Sequence, residues 1–160
     1  MALIFVDTES DGPCIGMGEM TEFGAVEFQT RKVFHGVLWE AFPDPANPAI
    51  PKRTGKRFNQ VDVYREFAAW LEQFSGRPVF VSDNPAFDWQ WINHGFWTTL
   101  NKNPFGFSAR RIGDFAAGLR GDFYAKQDWK NLRRTKHDHN PVNDAMGNAE
   151  AFEQLLRGER

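Results

Sequence analysis

The sequence lacks the features that would tie it to a membrane, a disulfide-stabilised fold or a strongly charged partner. It holds a single cysteine, Cys14, which excludes an internal disulfide and a cysteine-rich zinc site. The net charge is −2 at pH 7, so neither sign of charge dominates. The apolar start, residues 1–6, is short and ends at Asp7, and no later stretch approaches the length of a membrane span. We therefore expect a cytoplasmic protein with no membrane partner.

The sequence also lacks internal repeats, low-complexity tracts and long linkers. A chain of 160 residues fits one domain, and we expect it to span residues 1–160. Apolar residues make up 41% of the chain and aromatic residues 15%, which excludes a disordered protein and predicts a core built largely from rings.

The first forty residues have the pattern of strands. Residues 3–6 form a continuous apolar run, which is typical of a central strand covered on both faces. Residues 22–28 and 33–38 predict two further strands joined by a turn at 29–32, and together the three predict an antiparallel meander. We expect the proline-rich, basic segment 43–57 to be a loop.

Helical patterns dominate the rest of the chain. Apolar residues recur at helical spacing over 63–74, with Asp62 as the expected N-cap, and a short buried strand is predicted at 79–81. Further helices are predicted from Asn84-Pro85 to about residue 99, over 112–119, and after Pro141. This order predicts an α/β fold with a mixed sheet (an antiparallel meander plus parallel strands) flanked by helices.

Two carboxylates end the first predicted strand. Asp7 and Glu9 point to the same face of the strand, because strand side chains alternate. Two close carboxylates repel each other unless a cation joins them, and their oxygens suit Mg²⁺ or Mn²⁺ better than zinc. An Asp-x-Glu pair is also common on solvated strand edges, so the pair alone leaves both interpretations open.

Three further polar residues lie near the starts of predicted helices. Asp88 is surrounded by large apolar residues and is expected to be partly buried, where a carboxylate needs a partner. Asp144 occupies the first turns of the last helix, and His139 precedes that helix. The helix dipole alone would also favour both acids at these positions. His137 and Asp138 suggest a His-Asp-His metal site, which we set aside because no Cys or Glu is spaced to complete it.

Taken in order, the motifs Asp7-x-Glu9, Asn84-x-x-Phe87-Asp88 and His139-x-x-x-x-Asp144-Ala145 form a specific set. The set resembles the DEDDh family of 3′–5′ exonucleases, such as RNase T, oligoribonuclease and the exoribonucleases of the RNase AS type. The resemblance extends from Leu3 to about Leu156 and implies an RNase H-like fold. It also implies that Asp7, Glu9, Asp88 and Asp144 are catalytic metal ligands and that His139 is the general base.

The resemblance further implies a two-metal mechanism with Mg²⁺ or Mn²⁺, the ions lying roughly 3.5–4 Å apart. Asp7 would bridge the ions, Glu9 and Asp144 would hold the ion that activates water, and Asp88 would act on the second. His139 would take the proton of the attacking water, a task that suits an imidazole near neutral pH. Nucleoside 5′-monophosphates would leave from a 3′ end.

Residues that could bind the substrate lie in several parts of the sequence. Basic side chains in the segment 51–57 could contact phosphates, although basic loops are often merely solvated. Trp89, next to Asp88, could stack on a base. Asp11 departs from the family pattern and adds negative charge near the expected phosphate site. The predicted substrate-binding residues are Thr8, Ser10, Asn84, Trp89, Lys52 and Arg53.

We expect the partner to be the 3′ end of RNA, of single-stranded DNA or of both. RNA is favoured because small stand-alone members of the family commonly act on it, and such members often form homodimers. The alternatives are a DNA-directed 3′–5′ exonuclease, an RNase H-like endonuclease, a catalytically inactive nucleic-acid-binding module and a structural protein.

Overall fold

We describe the fold from a computed structural model that covers residues 1–158, without the side chain of Pro48. The strands are β1 (Ala2–Ser10), β2 (Met20–Glu27), β3 (Val33–Val37), β4 (Trp39–Asp44), β5 (Asn47–Arg57), β6 (Pro78–Ser82) and β7 (Ala109–Arg111). The α-helices are α1 (Gln60–Leu71), α2 (Pro85–Leu100), α3 (Ile112–Arg120) and α4 (Pro141–Leu156), and a 3₁₀ helix spans Gln127–Leu132.

A five-stranded mixed sheet with the order β3-β2-β1-β6-β7 forms the centre of the molecule. The central strand β1 pairs antiparallel with β2 and parallel with β6, so it joins the predicted meander to the parallel half. The carboxyl ends of β1 and β6 therefore meet at one edge of the sheet. The predicted fold class, a mixed sheet flanked by helices, is confirmed.

The alternation of side chains along β1 divides the core into two clusters. Ile4 and Val6 pack in the cluster that includes α1 and α2, whereas Leu3 and Phe5 belong to the cluster formed with α3 and α4. By the same alternation, Asp7 lies on the α4 face and Thr8 on the α2 face. One strand thus presents polar groups to helices on both sides of the sheet.

Gly24 on β2 allows the start of α4 to approach the sheet closely. It lies opposite Asp7 in the β1–β2 ladder. A Cβ atom at this position would collide with the backbone of Pro141, so only glycine fits here without displacing the helix. This close approach brings the first turn of α4 over Asp7.

The segment predicted to be a loop is in fact a β-hairpin. Strands β4 and β5 form a separate two-stranded sheet that covers most of residues 43–57, and Pro43 pairs with Pro51 across it. Proline lacks a backbone N–H, but a two-stranded sheet has only edge strands, where that loss is tolerated. The proline content of the segment therefore misled the loop prediction.

Two smaller expectations also differ from the structure. The N-cap of α1 is Asn59, whose side chain accepts a hydrogen bond from the backbone N–H of Val61, so Asp62 lies in the first turn instead. The three-residue strand β7 was not predicted, because so short a segment shows no alternation.

No helix among residues 1–158 is long and apolar enough to cross a membrane.

Candidate active site

Three of the four predicted acids converge where β1 passes under α4. Carboxylate oxygens of Asp7, Glu9 and Asp144 lie within 4.8 Å of one another. Glu9 is 8% exposed and Asp144 is 1% exposed. The strand places the first two acids on one face, and the approach of α4 at Gly24 brings the third.

Asp88 joins the site from the opposite face of the sheet through Thr8. The backbone N–H and the hydroxyl of Thr8 both donate to Asp88 Oδ1, at 3.1 Å and 3.0 Å. Asp88 is 3% exposed and lies in the first turn of α2. Thr8, predicted to bind substrate, is thus bonded to an acid of the site.

Burial and mutual repulsion shape the electrostatics of the four acids. Burial, with repulsion by Asp88 and Asp144, raises the pKa of Asp7 well above its usual range. Burial and the charge of Asp144 raise the pKa of Glu9 to about 8. Burial raises the pKa of Asp88 to about 7 against the opposing hydrogen bonds from Thr8, and burial also raises the pKa of Asp144. A cation placed among these carboxylates would offset both the cost of burying their charges and their mutual repulsion.

Two imidazoles flank the acids. His139 Nδ1 lies 3.8 Å from Glu9 Oε1, and His137 Nδ1 lies 2.6 Å from Asp144 Oδ2. The two rings are 4.6 Å apart between centroids. His139 adopts a left-handed backbone conformation with φ of 61°, which is uncommon for a residue other than glycine.

The other predicted substrate-binding residues differ in their burial and in their hydrogen bonds. Ser10 is buried beside Glu9, and its hydroxyl donates to the carbonyl of Gly12. Asn84 occupies the N-cap position of α2, but its side chain makes no capping hydrogen bond. Trp89 is half-buried and packs edge-on against the core ring of Phe80.

Lys52 and Arg53 both lie on β5 and are paired with carboxylates. Lys52 Nζ lies 3.0 Å from Asp44 across the hairpin. Arg53 pairs with Asp11 and lies 3.6 Å from Glu19. The negative charge of Asp11, unexpected from the family pattern, is therefore neutralised by the hairpin.

Two cavities flank the hairpin, and the smaller one borders the acids. A narrow cleft of about 100 Å³ is lined by Glu9 and His139 on one side and by Phe42 and Pro51 of the hairpin on the other. A larger cavity of about 500 Å³ lies beyond the end of β1, between the loop 15–20, the hairpin and α2. Its lining combines aromatic with basic and polar side chains: Tyr64, Trp91, Arg53, Arg57 and His94.

The residues of the site fit divalent metal ions. The donor set of Asp7, Glu9 and Asp144 consists of carboxylate oxygens, the ligands that Mg²⁺ and Mn²⁺ prefer. One oxygen of Asp88 is already bonded by Thr8, which leaves its other oxygen for an ion or a water molecule.

His137, part of the His-Asp-His metal site that the sequence suggested and that was set aside, lies against the acids. Ligand atoms of His137, His139 and Asp144 also lie within 4.8 Å of one another. The His-x-His spacing was visible in the sequence, but only the fold shows that Asp144 completes the group.

Known proteins resemble this chain in sequence and in fold, although no protein-family profile matches it. It is 29% identical over 171 aligned residues to the 3′-5′ DNA exonuclease Cap18 of Escherichia coli, covering 93% of this chain and 88% of the relative. The nuclease domain of 3′hExo, described as a DEDDh family member bound to rAMP, superimposes with a TM-score of 0.62 at 11% identity, covering 98% of this chain and 92% of that domain.

A second solved structure, the zinc-bound complex of E. coli ExoI with single-stranded DNA, superimposes with a TM-score of 0.57 at 15% identity. The match covers 98% of this chain but only 39% of ExoI. The comparisons confirm the predicted RNase H-like fold and the predicted enzyme class, a 3′–5′ exonuclease. In its ordered motifs, its fold and its convergent acids, the chain thus resembles the DEDDh-type 3′–5′ exonucleases, as its sequence predicted.

Proposed function

We propose that this protein is a metal-dependent 3′–5′ exonuclease that releases nucleoside 5′-monophosphates from single-stranded 3′ ends. The observation that carries the proposal is the convergence of Asp7, Glu9 and Asp144 within 4.8 Å, with His139 beside Glu9. These residues come from distant parts of the chain, and buried acids are rarely grouped in this way without a cation.

Two Mg²⁺ or Mn²⁺ ions are the proposed cofactors. Asp7, Glu9 and Asp144 would hold one ion, and Asp7 with Asp88 would hold the other. When bound, such ions lower the pKa of a water molecule and neutralise charge on the phosphate and the leaving oxygen.

His139 is the proposed general base. Its side chain is 37% exposed, so it can reach a water molecule at the cleft and pass a proton to solvent. His137 contacts Asp144 and would hold that carboxylate in place.

The larger cavity is the proposed position of the terminal base. Its volume of about 500 Å³ is in the range of small-molecule sites, and its lining includes the polar side chains of Gln60 and His94. The indole N–H of Trp91 has no hydrogen-bond partner among the described residues. Arg57 at the rim could contact a phosphate.

DNA is the substrate we propose first, because Cap18, whose match covers 93% of this chain, is named a DNA exonuclease. RNA, the expectation from the small family members, is the second candidate, and the rAMP bound to 3′hExo favours keeping it.

The test is a time course with 5′-labelled single-stranded DNA and RNA of one sequence, in Mg²⁺, Mn²⁺ or EDTA. We expect a ladder of products shortened stepwise from the 3′ end in either metal, no products in EDTA, and faster loss of DNA. Faster loss of RNA would reverse the substrate order. Internal cuts would indicate an endonuclease, and binding without cleavage in any metal would indicate an inactive binding module.

Two variants control this experiment. Asp7→Asn should abolish cleavage, because it removes a carboxylate that would hold the metal ions. Asp62→Asn neutralises an exposed acid on α1 and should cleave like the wild type. Full activity in Asp7→Asn would reject the proposed site.

The remaining expectations from the sequence extend the proposal. Residues 1–160 would act as one exonuclease domain, in the cytoplasm, and a homodimer is proposed from the family resemblance.

A further inference from the structure

The β4–β5 hairpin forms one wall of the narrow cleft at the acids. This wall is apolar, with Phe42 and Pro51 facing Glu9 and His139 across a space of about 100 Å³. Phe42 is 49% exposed, so its ring is open to a ligand in the cleft.

The size and chemistry of the cleft suit one sugar. At about 100 Å³ the cleft is much smaller than the cavity of about 500 Å³ proposed for the terminal base. A nucleotide sugar has hydroxyl groups on its edges and C–H groups on its faces, which match the polar wall of Glu9 and His139 and the apolar wall of Phe42.

The hairpin is fixed to the strand that carries the acids by a set of contacts around Arg53. Arg53 pairs with Asp11, which follows the end of β1. Its guanidinium lies 4.6 Å from the ring centroid of Trp39, whose indole N–H donates to Glu19 at 2.8 Å. Arg53 is also the cross-strand partner of Ala41, the residue next to Phe42.

Asp11 is itself held in place by the loop. Its Oδ1 accepts a hydrogen bond of 2.8 Å from the backbone N–H of Glu19. The Asp11–Arg53 pair thus joins the carboxyl end of β1 to the hairpin, two residues from Glu9.

We propose that Phe42 contacts the sugar of the nucleotide bound between Glu9 and His139, and that the Asp11–Arg53 ion pair is the positioning contact that holds Phe42 there. This inference rests on the proposed exonuclease function. It assigns Arg53 a role through the hairpin in place of direct phosphate binding.

Phe42→Ala tests the sugar contact in steady-state assays on single-stranded oligonucleotides. We expect KM to rise about 10-fold with kcat within about twofold, because the lost contact is made equally in the ground state and the transition state. Phe42→Leu should restore most of the affinity. Ile50→Ala is the matched control, since it removes an apolar side chain of similar exposure, 44%, from the same hairpin outside the cleft.

Asp11→Asn tests the positioning contact, because two possible roles of Asp11 predict opposite changes in KM. If Asp11 acted only as a negative charge near the substrate, its removal would strengthen nucleic-acid binding and lower KM. A positioning role predicts that KM rises, and that adding Phe42→Ala raises it no further, because both changes remove the same contact.

Arg53→Gln separates positioning from phosphate binding by salt dependence. Loss of a phosphate contact lowers the slope of log affinity against log salt by about 0.7 for a single strand. We expect the slope to stay at the wild-type value while KM rises. A lowered slope would overturn the positioning role of Arg53.

Thermal unfolding with and without Mn²⁺ shows whether each variant is folded and still binds metal, independently of activity. Wild-type protein that shortens no substrate would refute the proposed function. Active wild type with an unchanged KM in folded Phe42→Ala, or a lowered KM in Asp11→Asn, would refute this inference alone.

Discussion

At the scale of single residues, the site depends on side chains held in costly states. His139 keeps a left-handed backbone, the carboxyl groups of Asp7, Glu9 and Asp144 lie close together, and Glu9, Asp88 and Asp144 are buried. Such states persist only where the surrounding structure fixes them, and they are frequent at functional sites.

The role of His139 can be separated from its backbone by substitution with asparagine, which tolerates a positive φ. We expect His139→Asn to lower turnover by at least about 10²-fold, the scale of lost general-base catalysis. The rise in melting temperature on adding Mn²⁺ should persist because the acids are intact. His137→Asn serves as the matched control and should lose less turnover. Equal losses in the two variants would contradict the assignment of the base.

At the scale of elements, the site is assembled by the start of α4. Asn140 caps this helix by accepting hydrogen bonds from the backbone N–H groups of Val142 and Asn143, at 3.1 Å and 3.2 Å, and it follows His139 directly. Capping therefore fixes both the helix and the histidine loop.

Asn140→Ala and Asn59→Ala remove the side chains that cap α4, through two hydrogen bonds, and α1, through one. We expect each to lower the free energy of unfolding by about 0.5–2 kcal/mol in chemical denaturation. Only Asn140→Ala should also lower exonuclease turnover, because only that cap adjoins the site. An equal loss of turnover in Asn59→Ala would show that general stability, and not the local cap, limits activity.

At the scale of the whole molecule, the buried acids couple stability to pH. The pKa of Glu9 is about 8 and that of Asp88 about 7 in the folded, metal-free protein, whereas both lie near 4 when unfolded. Between pH 4 and 8 the folded state therefore binds more protons than the unfolded state, so stability falls as pH rises through this window.

Glu9→Gln should therefore stabilise the metal-free protein more at pH 8 than at pH 5. Melting temperatures in EDTA measure this difference. Glu66 is an exposed acid on α1, and Glu66→Gln is the control, for which we expect the same change in melting temperature at both pH values. Saturating Mg²⁺ should reverse the order at pH 8, because the ion stabilises only a protein with its ligands. A pH-independent difference in EDTA would contradict the raised pKa of Glu9.

The sequence by itself determined the central strand, the meander and the main helices, because these follow from local periodicity. Its ordered motifs also predicted which acids form the site. The helix starts at Asn84-Pro85 and Asn140-Pro141 were also readable, since the preference of proline for the first helical position is a local property.

Only the tertiary structure decided which groups meet. Several contacts join residues that local sequence patterns do not relate. They are the pairing of strands in the hairpin of residues 39–57, the ion pair of Asp11 with Arg53, the hydrogen bonds of Thr8 to Asp88 and the contact of His137 with Asp144. Such contacts depend on sheet order and on the close approach of α4 at Gly24, which are properties of packing across the whole chain.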